Sequence, residues 1–116
     1  MAMKRIFIAA LAILYFASTV NASTVLFKNY RDEKRKSYRS FNKLYLDGAK
    51  GGLIAYNLLL KERHLKSNFC LPTNLALTVE KAEDIMFRQA VKMSDPDDTP
   101  IEVILLFALE ELFPCN

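Results

Sequence analysis

The sequence predicts an all-α protein, a small helical bundle held by one disulfide and assembled as a homodimer. Apolar residues recur at spacings of three and four over two stretches, and no stretch alternates as a strand would. The final stretch, Pro100 to Phe113, is apolar around nearly its whole circumference, so a helix there must be buried on all sides. A chain this small covers such a helix incompletely, and we expect a second copy to complete the cover.

The first 22 residues have the pattern of a signal peptide. Two positive charges precede an apolar run from Ile6 to Phe16, and small residues follow up to Ala22. The run is about 11 residues, against the roughly 20 that a transmembrane helix needs. We therefore expect cleavage after Ala22, export, no membrane segment in the mature form, and a single domain over residues 23–116.

Two cysteines, Cys70 and Cys115, lie in the exported part. A pair of cysteines in an oxidising compartment predicts one disulfide, and closing a loop of this length contributes about 4 kcal/mol in the chain-entropy model. Free or intermolecular thiols are the alternative.

The charges are divided unevenly along the chain. Residues 28–66 contain eleven basic and four acidic residues, whereas residues 67–116 contain three basic and nine acidic ones. The two halves either present surfaces of opposite sign to partners or complement each other within the fold or dimer. The mature chain is nearly neutral overall, which argues against nucleic-acid binding.

The first helix is predicted from about Arg31 to Arg63. Its apolar stripe contains Tyr38, Phe41, Tyr45, Gly48, Gly52, Ala55, Tyr56 and Leu59. Glycine is a poor residue inside a helix, so we expect Gly48 and Gly52 to permit a tight crossing with another backbone. The alternative is two helices with a break at Gly48.

The second helix is predicted from about Thr78 to Met93. Its core face contains Val79, Ala82, Met86, Ala90 and Met93. A neighbouring flank is a candidate partner-binding surface, formed by Glu80, Asp84, Phe87, Arg88 and Val91. Alternatively, Phe87 and Val91 pack on another helix of the same monomer.

The last helix has clear start and stop signals. Thr99 is the predicted N-cap, Pro100 takes the first helical position, and Glu102 completes a capping box. Pro114 ends the helix.

Before this helix lies a segment that we call the acidic loop, residues 94–100. Its candidate binding residues are Ser94, Asp95, Pro96, Asp97, Asp98 and Thr99. Two prolines stiffen it, so it would lose little conformational entropy on entering a partner's cleft. The alternative is a solvated turn whose carboxylates favour the start of the next helix.

The residues offer little for catalysis. His64 is the only histidine, and both cysteines are expected to be oxidised. The three aspartates of the acidic loop lack the glycine and the distal glutamate of a calcium loop. We therefore expect no enzyme activity, no catalytic residue, no metal and no cofactor, and a role in binding.

Several short motifs resemble the Rap/Tai family of type VI secretion immunity proteins, with the immunity proteins of the fourth class of amidase effectors the most similar. The residues that carry the resemblance are Phe69-Cys70-Leu71-Pro72, Pro96, Ala108-Leu109 and Phe113-Pro114-Cys115, with Tyr45-Leu46-Asp47-Gly48 and Gly52 upstream. It covers most of the mature chain, from about Tyr38 to Cys115.

The resemblance implies a periplasmic homodimer that inhibits a peptidoglycan amidase, a papain-like cysteine peptidase delivered by neighbouring cells. In the family, a helix from one subunit and a protruding loop from the other bind the toxin, and the loop covers the active site. Carried to this chain, the helix is residues 78–93 and the loop is the acidic loop.

A periplasmic acid-stress chaperone is the alternative function. Such a chaperone can also be a helical homodimer with a single disulfide, and it would expose apolar surface when its carboxylates become protonated.

Overall fold

The computed structural model describes residues 24–116, which form four α-helices. They are α1 (Phe27–Asp32), α2 (Lys36–Glu62), α3 (Val79–Val91) and α4 (Ile101–Leu112). Within these residues there is no strand, and one isolated antiparallel bridge joins Leu26 to Pro100. The all-α prediction is confirmed.

The predicted signal peptide, residues 1–22, lies outside the described part of the chain. Among the helices of residues 24–116, none combines the length and the hydropathy that crossing a membrane requires.

Helix α4 lies at the centre of the fold and packs against both α2 and α3. It supplies the largest share of the core, with Ile101, Ile104, Leu105, Ala108 and Leu109 buried. Burial is nevertheless incomplete, because Phe107 is 43% exposed and Leu112 is 52% exposed. A single copy therefore covers this helix incompletely, as expected, and the second copy that would complete the cover stays a prediction.

The predicted capping box at the start of α4 is also wrong. The Thr99 hydroxyl donates instead to the backbone oxygen of Asp95 (2.7 Å), and the Glu102 carboxylate accepts from the Tyr45 hydroxyl (3.3 Å). The physical reason is that the Thr99 N–H, from which the Glu102 side chain would accept, already donates to the Pro96 carbonyl (3.0 Å).

Helix α2 is continuous through its glycines, so the alternative of a break at Gly48 is wrong. It begins later than predicted, because residues 33–35 leave the helical path. There the Glu33 carboxylate accepts from both the backbone N–H of Arg35 (3.1 Å) and its guanidinium (2.8 Å). This local arrangement separates the short helix α1 from α2.

The core-facing side of α2 differs from the predicted stripe. Leu46 is the residue of α2 that is fully buried, whereas Phe41 in the stripe is 62% exposed. A Cβ added at Gly48 or Gly52 would meet nothing within 4 Å. The predicted tight crossing is therefore absent within residues 24–116.

Helix α3 forms as its sequence pattern predicts. The Thr78 side chain caps it by accepting from the backbone N–H of Lys81 (3.2 Å). Ala82, Met86 and Ala90 are buried against the rest of the core. The helix ends at Val91, close to the predicted limit.

A disulfide joins Cys70 to Cys115, as predicted, and links positions 45 residues apart. The backbone N–H of Cys70 also donates to the Phe113 carbonyl (2.7 Å). Next to it, Phe69 is 1% exposed, and its segment is fixed to α2 by the side chain of Asn57. The disulfide thus fastens the end of α4 to a segment that is itself anchored in the core.

Candidate functional site

The acidic loop connects α3 to α4 and is hydrogen-bonded to the first residues of α1. The backbone N–H groups of Phe27 and Lys28 donate to the carbonyls of Thr99 (3.0 Å) and Asp97 (3.2 Å). Within the loop, the N–H of Thr99 donates to the Pro96 carbonyl (3.0 Å). Backbone hydrogen bonds therefore fix its second half, and its path depends on a segment about 70 residues earlier in the chain.

Two of the three loop carboxylates bind basic side chains of the same chain. The guanidinium of Arg31 donates to both carboxylate oxygens of Asp97, at 2.6 and 3.3 Å. The Lys28 ammonium donates to Asp98 at 3.0 Å, and this hydrogen bond raises the pKa of Lys28. These pairs are exposed, so they contribute more to positioning the loop than to global stability.

Asp95 is the loop aspartate that differs from the other two. It is exposed, and its carboxylate makes no ion pair within residues 24–116. Its backbone oxygen accepts from the Thr99 hydroxyl, which closes the turn around Pro96. The loop therefore presents one free carboxylate at its start and two paired ones at its centre.

Four of the five predicted binding residues of α3 lie together on one exposed side of the helix. We call this side the α3 strip; it consists of Glu80, Asp84, Arg88 and Val91. Arg88 pairs with Asp84 one turn away (3.2 Å), and Val91 is 87% exposed. Val91 precedes Ser94 by only three residues, so the strip leads directly into the acidic loop.

Phe87, the fifth predicted residue, does not belong to this strip. Its ring packs edge-on against Phe27 at a centroid distance of 5.3 Å and against Tyr30 at 6.0 Å. Aromatic pairs of this geometry stabilise a core beyond the area that they bury. The alternative in which Phe87 packs within the monomer is therefore the observed one.

The opposite charges of the two halves meet within the fold. Besides the contacts of Lys28 and Arg31 with the loop, Lys43 of α2 approaches Glu80 of α3 at 3.7 Å. Lys28 and Arg31 were not among the predicted site residues. The one signal that pointed to them was the charge asymmetry itself, which indicated complementarity without specifying its pairs.

His64 lies at the C-terminal end of α2, in the left-handed backbone region with φ of 56°. It is exposed and follows the C-cap, where the backbone N–H of Leu65 closes the helix on the Leu60 carbonyl (2.8 Å). Its position is thus explained by helix termination. Within residues 24–116, no three His, Cys, Asp or Glu side chains lie close enough together to hold a metal ion.

The fold and the site define a small all-α protein with one disulfide and a pre-ordered acidic loop. No family model matches the chain, and neither a curated protein nor a solved structure shows significant similarity to it. The resemblance to the Rap/Tai immunity proteins stays a prediction from sequence motifs.

Proposed function

We propose that this protein is a periplasmic immunity protein that binds a type VI secreted peptidoglycan amidase and occludes its catalytic groove with the acidic loop. The observation that carries the proposal is the anchoring of the loop by backbone hydrogen bonds and by the Arg31–Asp97 and Lys28–Asp98 pairs. A loop ordered in advance loses little conformational entropy when a partner closes around it, so more of the contact energy appears as affinity.

The charge of the loop suits the proposed target. A groove that grips a stem peptide rich in carboxylates should itself be positively charged, and an acidic loop is complementary to it. Asp95 supplies the unpaired charge, and Asp98 remains 63% exposed despite its contact with Lys28. Inhibition would be steric, with no chemistry performed by this chain.

The α3 strip is the second part of the proposed binding surface. Its side chains are exposed, and Val91 offers an apolar contact beside the charges of Asp84 and Arg88. An exposed apolar residue surrounded by polar ones is a common composition for a binding surface. In the proposed dimer, one subunit contributes the strip and the other contributes the loop.

We also propose that a second copy covers the outer face of α2, and we call this face the glycine face. Its residues are all uncharged: Phe41, Leu44, Gly48, Gly52, Tyr56 and Leu59. On an ordinary surface helix the side that points away from the core is polar. Here Leu44 is 70% exposed, and the space over both glycines is empty.

The spacing within the glycine face favours self-association. The six positions are symmetric about residue 50, so an antiparallel copy brings Phe41 opposite Leu59, Leu44 opposite Tyr56, and Gly48 opposite Gly52. A two-fold interface requires such reciprocal pairing, in which residue i meets residue j and j meets i. The glycines would let the two backbones approach closely at the axis.

An inhibition assay tests the proposed function. The purified mature protein is titrated into a purified type VI papain-like amidase, and cleavage of peptidoglycan fragments is followed at neutral pH. We expect inhibition that is complete near equimolar concentrations. Full amidase activity in the presence of excess folded protein would contradict the proposal.

The exposed apolar area of α2 also favours one alternative, the acid-stress chaperone. A chaperone would suppress aggregation of unrelated proteins at low pH, whereas an immunity protein would not. Light scattering of an acid-denatured test protein, with and without this chain, separates the two functions.

A further inference from the structure

A cleft of about 430 Å³ opens between α1, the first turns of α2, and α3. Small-ligand and peptide sites commonly have volumes of this order. Four basic side chains line it: Arg31, Lys36, Arg39 and Lys43. The aromatic rings of Tyr30 and Phe87 line it too, and we call it the cationic cleft.

The two carboxylates that line the cationic cleft are already occupied. Glu33 accepts hydrogen bonds from the backbone and guanidinium of Arg35, and Glu83 accepts from the buried Tyr30 hydroxyl. Neither forms an ion pair with a basic side chain of the cleft. The Tyr30 hydroxyl is a neutral donor and leaves the charge of Glu83 in place, so the walls of the cleft carry four basic side chains against two carboxylates, an excess of positive charge.

Lys36 and Arg39 are the uncompensated charges. Within residues 24–116 neither makes an ion pair, and residues 1–23 contain no Asp or Glu that could supply one. Lys43, one turn further along α2, has only the distant Glu80 contact at 3.7 Å. Like charges at helical spacings of three and four repel, so this row costs α2 stability. Local arrangements that cost stability are typical of functional sites.

We propose that the cationic cleft binds an acidic peptide segment of a partner protein. The spacing of the charges points to an extended chain with several carboxylates. Arg39 and Lys43 are about 6 Å apart along the helix axis, and alternate side chains of an extended peptide are separated by about 6.6 Å. Carboxylates at every second position of an extended peptide therefore have about the same spacing as the basic side chains of Arg39 and Lys43.

The walls of the cleft favour a peptide over a single phosphate. A phosphate is held best where several donors converge on one point, whereas these basic side chains are spread over about 10 Å of helix from Lys36 to Lys43. Tyr30 and Phe87 add an apolar surface for an uncharged side chain of the peptide. Lys36 and Arg39, which carry the inference, belong to neither the acidic loop nor the α3 strip, so the inference goes beyond the proposed immunity function.

A peptide-binding measurement tests the inference. The probe is a fluorescein-labelled peptide of alternating glutamate and glycine with one central phenylalanine, and its analogue carries glutamine in place of glutamate. Fluorescence anisotropy is recorded with the full mature chain, with the double variant Lys36→Gln and Arg39→Gln, and with a control of the same charge, Lys61→Gln and Arg63→Gln. The control removes two basic residues from the opposite end of α2. Circular dichroism verifies that each variant is folded.

We expect the acidic peptide to bind and its glutamine analogue not to bind. The Lys36 and Arg39 variant should lose roughly tenfold or more in affinity, while the control stays within about twofold. Equal losses in the two variants would mean attraction by overall charge and would overturn the inference. Absence of peptide binding to the folded chain, or competition by inorganic phosphate as strong as that by the peptide, would overturn it as well.

Discussion

The guanidinium of Arg31 donates two hydrogen bonds to the carboxylate of Asp97, which joins α1 to the centre of the acidic loop. The two residues are 66 positions apart in the sequence. Arg31 also donates to the adjacent Asp32. The hydrogen bonds to Asp32 and to Asp97 raise the pKa of the Arg31 guanidinium. The Arg31 guanidinium therefore stays charged over the physiological pH range and remains a donor to the acidic loop.

This arrangement assigns different roles to two aspartates of the loop. Asp95→Asn removes a charge that has no ion pair within residues 24–116, so we expect the affinity for the proposed amidase target to fall roughly tenfold with an unchanged melting temperature. Asp97→Asn weakens the hold of Arg31, so it should also increase hydrogen exchange at the amides of Phe27 and Lys28. Calorimetric titration and hydrogen exchange measure both effects. Unaltered amidase affinity in both variants would contradict the role of the loop.

The glycine face makes a prediction about assembly. Gly48→Leu and Gly52→Leu should each convert a dimer to a monomer, because a leucine at the crossing keeps the two backbones apart. The monomer itself should tolerate either change, since an added Cβ meets nothing and leucine favours the helix by about 1 kcal/mol over glycine. Lys61→Leu, off this face on the same helix, is the control. Sedimentation equilibrium that finds identical assembly in all variants would argue against the interface.

Asn57 is predicted to stabilise the fold through three hydrogen bonds to one segment. Its amide donates to the Phe69 carbonyl (2.6 Å), and its oxygen accepts from the N–H groups of Asn68 (2.9 Å) and Phe69 (3.4 Å). Asn57→Asp keeps the acceptor but removes the donor and places a carboxylate against the carbonyl. We expect a loss of about 1 to 3 kcal/mol in the free energy of unfolding, measured in urea.

The same chemical change at the exposed neighbour, Asn68→Asp, is the control, and it should shift stability by less than about 0.5 kcal/mol. Equal urea midpoints for the two variants would show that the Asn57 amide does not hold this segment.

Tyr30 gives the stability a dependence on alkaline pH. Burial, followed by the hydrogen bond to Glu83, raises the pKa of the Tyr30 hydroxyl well above its usual 10.0. Because this pKa is higher in the folded state than in the unfolded state, the protonated Tyr30 hydroxyl makes its full contribution to the free energy of unfolding below pH 10.0. That contribution is lost as the pH rises beyond this value.

Tyr30→Phe should destabilise the protein by about 1 to 3 kcal/mol at neutral pH, because it leaves the Glu83 carboxylate without this donor. The difference in stability between the two proteins should then narrow above pH 10. Urea unfolding at a series of pH values measures it, and a difference that stays constant up to pH 11 would refute the assignment.

Features set by local sequence could be predicted. The Thr78 cap depends on a hydroxyl three residues before the N–H that it accepts from, and the buried face of α3 follows from helical periodicity. The disulfide was predictable because the chain has only two cysteines. The acidic loop was predictable as a loop from its prolines and aspartates.

Features that depend on distant segments could not be predicted. The start of α4 is one such feature, because the carbonyl of Val25, 76 positions before Ile101, accepts from the first N–H of that helix. Helix α2 has apolar residues at helical spacing on two of its faces, and periodicity alone does not show which face packs against α4. Lys28 and Arg31 were missed for the same reason, since the bridge between Leu26 and Pro100 and the adjoining backbone hydrogen bonds bring them to the acidic loop.

The decisive measurement for the proposed inhibition is the structure of a complex between the mature protein and a type VI papain-like amidase that it inhibits. We predict that the acidic loop covers the catalytic cysteine of the enzyme, with Asp95 within hydrogen-bonding distance of a basic group in the groove. A complex in which residues 94–100 remain in solvent, away from that cysteine, would contradict it.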